Sequence, residues 1–283
     1  VFHIITGAIA LYVAWRYVWP LAWSKTAKAL FAALLLLAAE HHLITRTFFG
    51  TMASPEIPGV ALIVLGWAFG TLVLLASFML IKDLAGILAY PFFRKLGQAL
   101  LLGPRLRYGL AVLAAVSGGV GVWQAVRIPD VKTIEIALQN LPQEFDGFRV
   151  VQLTDLHASR LLQAPWMEAV VAKANALNPD LTVLTGDLID GSPEARAVDV
   201  QPLKNLAARY GVLAIPGNHE YYVEYVRWLP VFEQLGLRML LNEHVTIRHD
   251  GRELVVAGVT DTRAAAFNQP PPDIAAALDG LSQ

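Results

Sequence analysis

Cysteine is absent from the 283 residues, which excludes disulfides, thiolate catalysis and cysteine-ligated zinc and leaves oxygen and imidazole as the metal donors on offer. Charge is also scarce: 16% of residues carry it, with 22 Lys and Arg against 23 Asp and Glu and a net charge of −1. Such a balance contains no basic stripe of the kind nucleic acids require, so DNA and RNA are set aside as partners. What charge there is lies unevenly. Up to about Arg127 the chain is dominated by Leu, Ala, Val, Gly and Trp in long uncharged runs; beyond it charged residues, Asn and Pro appear at globular frequency. The asymmetry predicts a transmembrane region over 1–127 and a soluble domain over 128–283. The chain starts at Val1 and stops at Gln283 just after a short helical pattern, so both ends read as cut.

A hydrocarbon core of about 30 Å is crossed by roughly 20 mainly apolar helical residues. Four segments fit: about Phe2 to Trp19, Ala27 to Ile44, Val60 to Ile81 and Tyr108 to Val126. The last two are uncharged, and Ser117, Gly118, Gly119 and Gly121 would let another helix approach the fourth closely. The first two are less clean, with Arg16 and Glu40-His41-His42 near their ends; that second cluster is read as meeting headgroups and water rather than a metal. Positively charged loops stay in the cytoplasm. Lys25 and Lys28, and then Lys82, Arg94, Lys95, Arg105 and Arg107, mark one side against Arg46, Arg127 and Lys132 on the other. The expectation is a multi-pass protein in contact with the lipid bilayer, its soluble domain extracytoplasmic.

From Thr133 short β-rich runs alternate with helical ones, the pattern of a layered α and β domain. Strands are expected at Thr133 to Leu138, Arg149 to Leu153, Leu181 to Leu184, Val212 to Ile215, Val245 to Arg248 and Glu253 to Ala257. Helices are expected at Pro165 to Leu177, Ala197 to Tyr210, Val223 to Leu235 and Asp273 to Leu278. Three of the strands open into loops of metal-competent side chains: Asp155-Leu156-His157, Gly186-Asp187-Leu188-Ile189-Asp190 and Gly217-Asn218-His219-Glu220. Strand carboxyl ends share a crevice in an open sheet, so the three loops should build one site. Each loop alone is ordinary turn chemistry; three in order at strand ends are not. Carboxylate, amide oxygen and imidazole together suit Mn, Fe, Zn or Ni, and a pair of such ions clamps both oxygens of a phosphoryl displacement.

These three loops also resemble the first three motifs of the calcineurin-like metallophosphoesterases, and the stretch through Asn242-Glu243 and Ala257-Gly258-Val259 is similar to their membrane-linked bacterial branch. The resemblance runs from about Thr133 to Gln283 and implies a four-layer fold with a β-sandwich between helices, an α/β hydrolase using two divalent metal ions. By that pattern Asp155 and His157 bind the first metal, Asp187 bridges both and Asn218 binds the second. His219 would stabilise or protonate the leaving oxygen, with Asp190 holding its ring cationic. A further His and a Gly-His-x-His motif, expected in the family, do not occur here. After His219 only His244 and His249 remain, read as surface residues. Glu220 is read as a partner of a helix dipole, Asp261 as a turn residue, and Tyr221, Tyr222 and Trp228 as core.

The function implied is hydrolysis of a phosphoester, whether phosphomonoester, phosphodiester or pyrophosphate, at the outer membrane face. The substrate would be a phosphorylated small molecule or a lipid-linked phosphate. The alternative is a non-catalytic membrane sensor with a degenerate metal site.

Overall fold

The computed structural model describes residues 1–51 and 54–281; Ser282 and Gln283, where the chain stops, lie outside the described residues. Two compact units divide the chain, Val1–Arg127 and Ile128–Gln283.

The first unit is helical. Helix α1 (Phe2–Val13) runs into a π-helical turn at Ala14–Val18, followed by α2 (Lys25–Phe49), α3 (Gly59–Ala89), α4 (Arg94–Leu102) and α5 (Pro104–Val126). Ser24 accepts a hydrogen bond from the Ala27 N–H to start α2, and Gly50, at φ 73°, ends it in the left-handed cap that glycine adopts without penalty. Three of these helices, α2, α3 and α5, are long and apolar enough to cross a membrane. Three of the four expected spans thus coincide with such helices; the first, Phe2–Val18, is a shorter apolar helix. Helix α3 also continues past Ile81. Lys82 and Asp83 stay inside it because their charges are met: Arg16 donates to both Asp83 oxygens at 2.6 and 2.7 Å, Tyr12 adds a bond of 2.9 Å, and Lys82 pairs with the same carboxylate. Lys82 and Arg16 go on to donate to the Leu100 and Leu101 carbonyls at the end of α4, at 3.0 and 3.3 Å, satisfying acceptors a helix end leaves open. Gly118 of α5 lies against Thr71 of α3, where a Cβ would come within 2.8 Å of the Thr71 hydroxyl. Glu40, half-buried, pairs with His3 and Thr6 of α1, at 3.0 and 2.8 Å.

The second unit is built on a parallel sheet of β1 (Val150–Leu153), β2 (Leu181–Thr185), β3 (Val212–Ile215) and β4 (Arg238–Met239), in that spatial order. Helices α6 (Ala164–Asn175), α7 (Pro193–Val200), α8 (Asn218–Tyr222) and α9 (Tyr225–Gln234) connect the strands, and an antiparallel hairpin of β5 (Glu243–His249) and β6 (Arg252–Gly258) precedes α10 (Ile274–Ala277). Period-two alternation sets two cores. Leu184 and Ala214 face a helical layer with Met167, Val170, Trp228 and Phe232; Leu181 and Leu213 face the hairpin through Phe145, Val245 and Ile247.

Several expected elements differ. Thr133 to Leu138 belongs to no strand among the described residues, and Ile136 is 72% exposed. The helix expected over Ala197 to Tyr210 begins earlier, at Pro193, and gives way to a 3-10 turn at Gln201–Asn205, where Pro202 offers no N–H to continue an α-helix. The helix expected from Val223 to Leu235 is α9, which starts only at Tyr225 because Glu224, at φ 61°, separates it from the short α8 before it. His249 is not a free surface residue: it bonds the Tyr210 hydroxyl at 2.6 Å and packs on Phe145. His244 likewise meets the Ala277 carbonyl at 2.8 Å.

Candidate metal centre

The parallel strands β1, β2 and β3, ending at Leu153, Thr185 and Ile215, open into their polar loops at the same edge of the sheet. The first loop stays zipped to the second: Asp155 N–H donates to the Gly186 carbonyl at 3.1 Å, His157 to Asp187 at 2.9 Å and Ala158 to Leu188 at 2.9 Å. Such pairing turns the backbone sharply, and Asp155, His157 and Asp187 sit at φ 53°, 42° and 55°, a region non-glycine residues occupy rarely and most often at functional sites.

The second and third loops touch glycine to glycine. A Cβ on Gly186 would lie 2.4 Å from the Gly217 nitrogen, and one on Gly217 would lie 2.3 Å from Asp187 Oδ1. Only hydrogen at both positions lets the Asp187 carboxylate reach the third loop, where Oδ1 accepts the His219 N–H at 2.9 Å.

Glu220 locks this contact. It is 1% exposed, and its carboxylate accepts three backbone N–H groups: Asp187 at 2.9 Å and Gly217 at 2.7 Å through Oε2, and Leu188 at 2.7 Å through Oε1. Burial pushes its pKa above the ordinary value against the pull of those bonds. Glu220 is thus a brace between two loops rather than only a dipole partner. The Gly217-x-x-Glu220 spacing of a capping box carries a sequence signal for the Gly217 bond, but none for the other two.

Asp190 grips two imidazoles. Its Oδ2 lies 3.1 Å from His157 Nδ1 and its Oδ1 lies 2.5 Å from His219 Nδ1, while the rings meet edge to face at 4.5 Å. The bond to Asp190 raises His157's pKa over the opposing effect of burial; burial alone would raise Asp190, but the two rings hold it below the usual carboxylate range. Beneath it the buried Arg196 donates to the Asp190 carbonyl at 3.3 Å and to Asp199 at 3.0 Å, a support with no motif in the sequence.

With Nδ1 of each ring engaged, Nε2 is left for a cation, the usual arrangement in which an outer carboxylate fixes the tautomer of a metal-binding histidine. His157 Nε2 lies 3.8 Å from Asp155 Oδ1 and 3.9 Å from Asp187 Oδ2, too far for hydrogen bonds and spaced as ligands around an ion are. Ligand atoms of His157, Asp187 and His219 all lie within 4.8 Å of one another, the one such group among the described residues. The donor set therefore fits a divalent cation. Asp155 is at its edge, its side chain 63% exposed, and Asn218 opens α8 half-buried.

Comparison with known proteins gives a consistent picture. The family model described as calcineurin-like phosphoesterase matches residues 148–278. A cattle (Bos taurus) protein named transmembrane protein with metallophosphoesterase domain is 34% identical over 187 residues, covering 62% of this chain and 42% of that protein. An uncharacterized metallophosphoesterase of Helicobacter pylori is 34% identical over 158 residues, 56% of this chain and 41% of its own, and one of Aquifex aeolicus is 31% identical over 132 residues, 47% and 49%. The chain thus spans less than half the length of these relatives. No solved structure matches. Three strand-end loops, two histidines sharing one carboxylate and a matched span that takes in all of them lead to one assignment: the second unit of this membrane protein carries a calcineurin-like phosphoesterase domain.

Proposed function

We propose that the protein hydrolyses a phosphoester with the help of two divalent cations, at the outer face of the membrane, on a phosphorylated small molecule or lipid-linked phosphate. The observation that carries this reading is the sharing of Asp190 by His157 and His219, which commits both Nδ1 atoms and leaves both Nε2 atoms for a cation or a leaving oxygen. Asp155, His157, Asp187 and Asn218 would hold the ions. Bound there, divalent cations would polarise the phosphoryl oxygens and ease deprotonation of water. His219, its ring held by Asp190, would hand a proton from Nε2 to the departing oxygen. Glu220 keeps Asp187 and the His219 backbone in register. The hairpin β5–β6 would be the start of the second sheet of the four-layer fold. Expected placement outside the cytoplasm rests on the Lys and Arg bias of the loops.

The test is Mn²⁺-dependent hydrolysis of bis(4-nitrophenyl) phosphate by the complete gene product in detergent. Asp155→Ala should lose metal affinity and turnover together, whereas His219→Ala should lose turnover while metal stays bound; wild-type rates in either variant overturn the assignment. A second reading, a sensor that binds phosphate without turnover, is favoured by there being one three-ligand group rather than two among the described residues. Metal-dependent phosphate binding with no hydrolysis would establish it.

A further inference from the structure

Beside His219, the surface carries two aromatic rings and a cation that the chemistry above does not use. Tyr222, one turn on from His219 in α8, meets its ring edge to face at 5.5 Å and is 46% exposed. The 3-10 turn Thr262–Phe267 stands opposite. Phe267 lies 5.8 Å from the Tyr222 ring and is 41% exposed, and the Arg263 guanidinium lies 6.0 Å from the Tyr222 centroid. Among the described residues no carboxylate forms an ion pair with Arg263; Asp261 instead caps the turn by accepting the Arg263 backbone N–H at 2.7 Å.

This rim is held in place from behind. Tyr221 is buried, stacks on Tyr225 at 4.3 Å and packs with the fully buried Ala264, so α8 and the 3-10 turn are fastened by their inner faces. The outer faces are thereby fixed as well: two exposed rings and an uncompensated cation, beginning one ring away from the histidine assigned to the leaving oxygen. Exposed rings usually find cover, and a guanidinium over an aromatic face is arranged to take an anion while the ring takes a flat surface.

We infer that Tyr222, Phe267 and Arg263 form the leaving-group subsite of the phosphoesterase centre, selecting esters whose leaving group is planar and aromatic and carries negative charge of its own. The inference rests on the proposed phosphoesterase reading. Tyr222 and Phe267 supply stacking, and Arg263 supplies the charge. The core expectation for Tyr222 is thereby corrected, since of the Tyr221-Tyr222 pair only Tyr221 is buried.

Binding of non-hydrolysable probes to the Mn²⁺-loaded protein, followed by calorimetry, tests this without turnover. Phenylphosphonate should bind about three- to tenfold more tightly than methylphosphonate, the range expected for ring stacking, and 4-phosphonobenzoate more tightly again. Tyr222→Leu and Phe267→Leu should each reduce the phenyl preference, and Arg263→Ala should remove only the gain from the carboxylate. Methylphosphonate affinity, unchanged in all three, reports that the variants are folded and metal-loaded. Equal binding of phenyl- and methylphosphonate by the wild type, or a preference untouched by the variants, overturns the subsite and leaves the phosphoesterase reading standing. No phosphonate binding at all overturns both.

Discussion

Glutamine at position 220 would keep two of the three hydrogen bonds that glutamate makes there. Its amide oxygen can stand where Oε2 accepts the Asp187 and Gly217 N–H groups, but its NH₂ would face the Leu188 N–H, donor to donor. The loss is one charge-assisted bond and one orphaned donor, offset by removing a buried charge, or about 2 kcal/mol net. Alanine orphans all three donors, at about 1–3 kcal/mol each, and with the same offset costs about 4 kcal/mol. The membrane unit rules out reading this from a two-state melt of the whole chain, so the assay is native-state hydrogen exchange at the Gly217, Asp187 and Leu188 amides. Protection should fall about 30-fold in Glu220→Gln, chiefly at Leu188, and about 1,000-fold at all three in Glu220→Ala. Exchange within threefold of wild type in the alanine variant would refute the brace. The sign of the pH effect follows from burial. Glu220 binds its proton more tightly folded than unfolded, so its contribution is fully present below the ordinary value of 4.5 and is lost as pH rises through the raised folded value. Glu220→Gln should abolish that decline.

Three other substitutions address the same architecture. Gly217→Ala should cut Mn²⁺ affinity by about 100-fold, the upper range for disturbing the support of a metal site, because its Cβ would overlap the Asp187 carboxylate; unchanged affinity by calorimetry would refute the close-contact argument. Since Asp190 raises the His157 pKa, a cation must displace a proton there, and metal affinity should climb with pH above the ordinary 6.5; Asp190→Asn should move that climb to lower pH in a calorimetric series, and an unmoved profile would count against the shared-carboxylate account. Asp83→Asn leaves Arg16 and Lys82 without their anion and should cost about 3–5 kcal/mol, seen as a lower melting temperature of the helical unit in detergent; a melt at the wild-type temperature would show the cluster is not structural.

The strand-end loops were legible because each follows a short apolar run and carries Gly-Asp, Gly-Asn or Asp-x-His at once, local signals needing no knowledge of the fold. The brace was not, since two of the three Glu220 bonds reach Asp187 and Leu188, more than 30 residues back. Tyr222 was misplaced because α8 has five residues, too few for a period to show which side faces inward. β4 escaped notice for a similar reason, being two residues long. Thr133 to Leu138 does alternate like a strand, but alternation describes a chain's faces and does not supply a partner. Along the apolar runs, hydropathy located α2, α3 and α5, yet it ended α3 at Lys82 because composition cannot see Arg16 waiting 67 residues earlier.

That last contact bears on how the protein is made. Helices enter a membrane in the order of synthesis, and α1 with its π-helical turn emerges before α3. Were the helices inserted in that order, the guanidinium that meets Asp83 would precede Lys82 and Asp83 into the bilayer, and the α4 carbonyls that finish the cluster would follow them. The short first helix would then act as a receiving partner for the longest one, and a chain lacking it would present an incompletely matched ion pair to lipid.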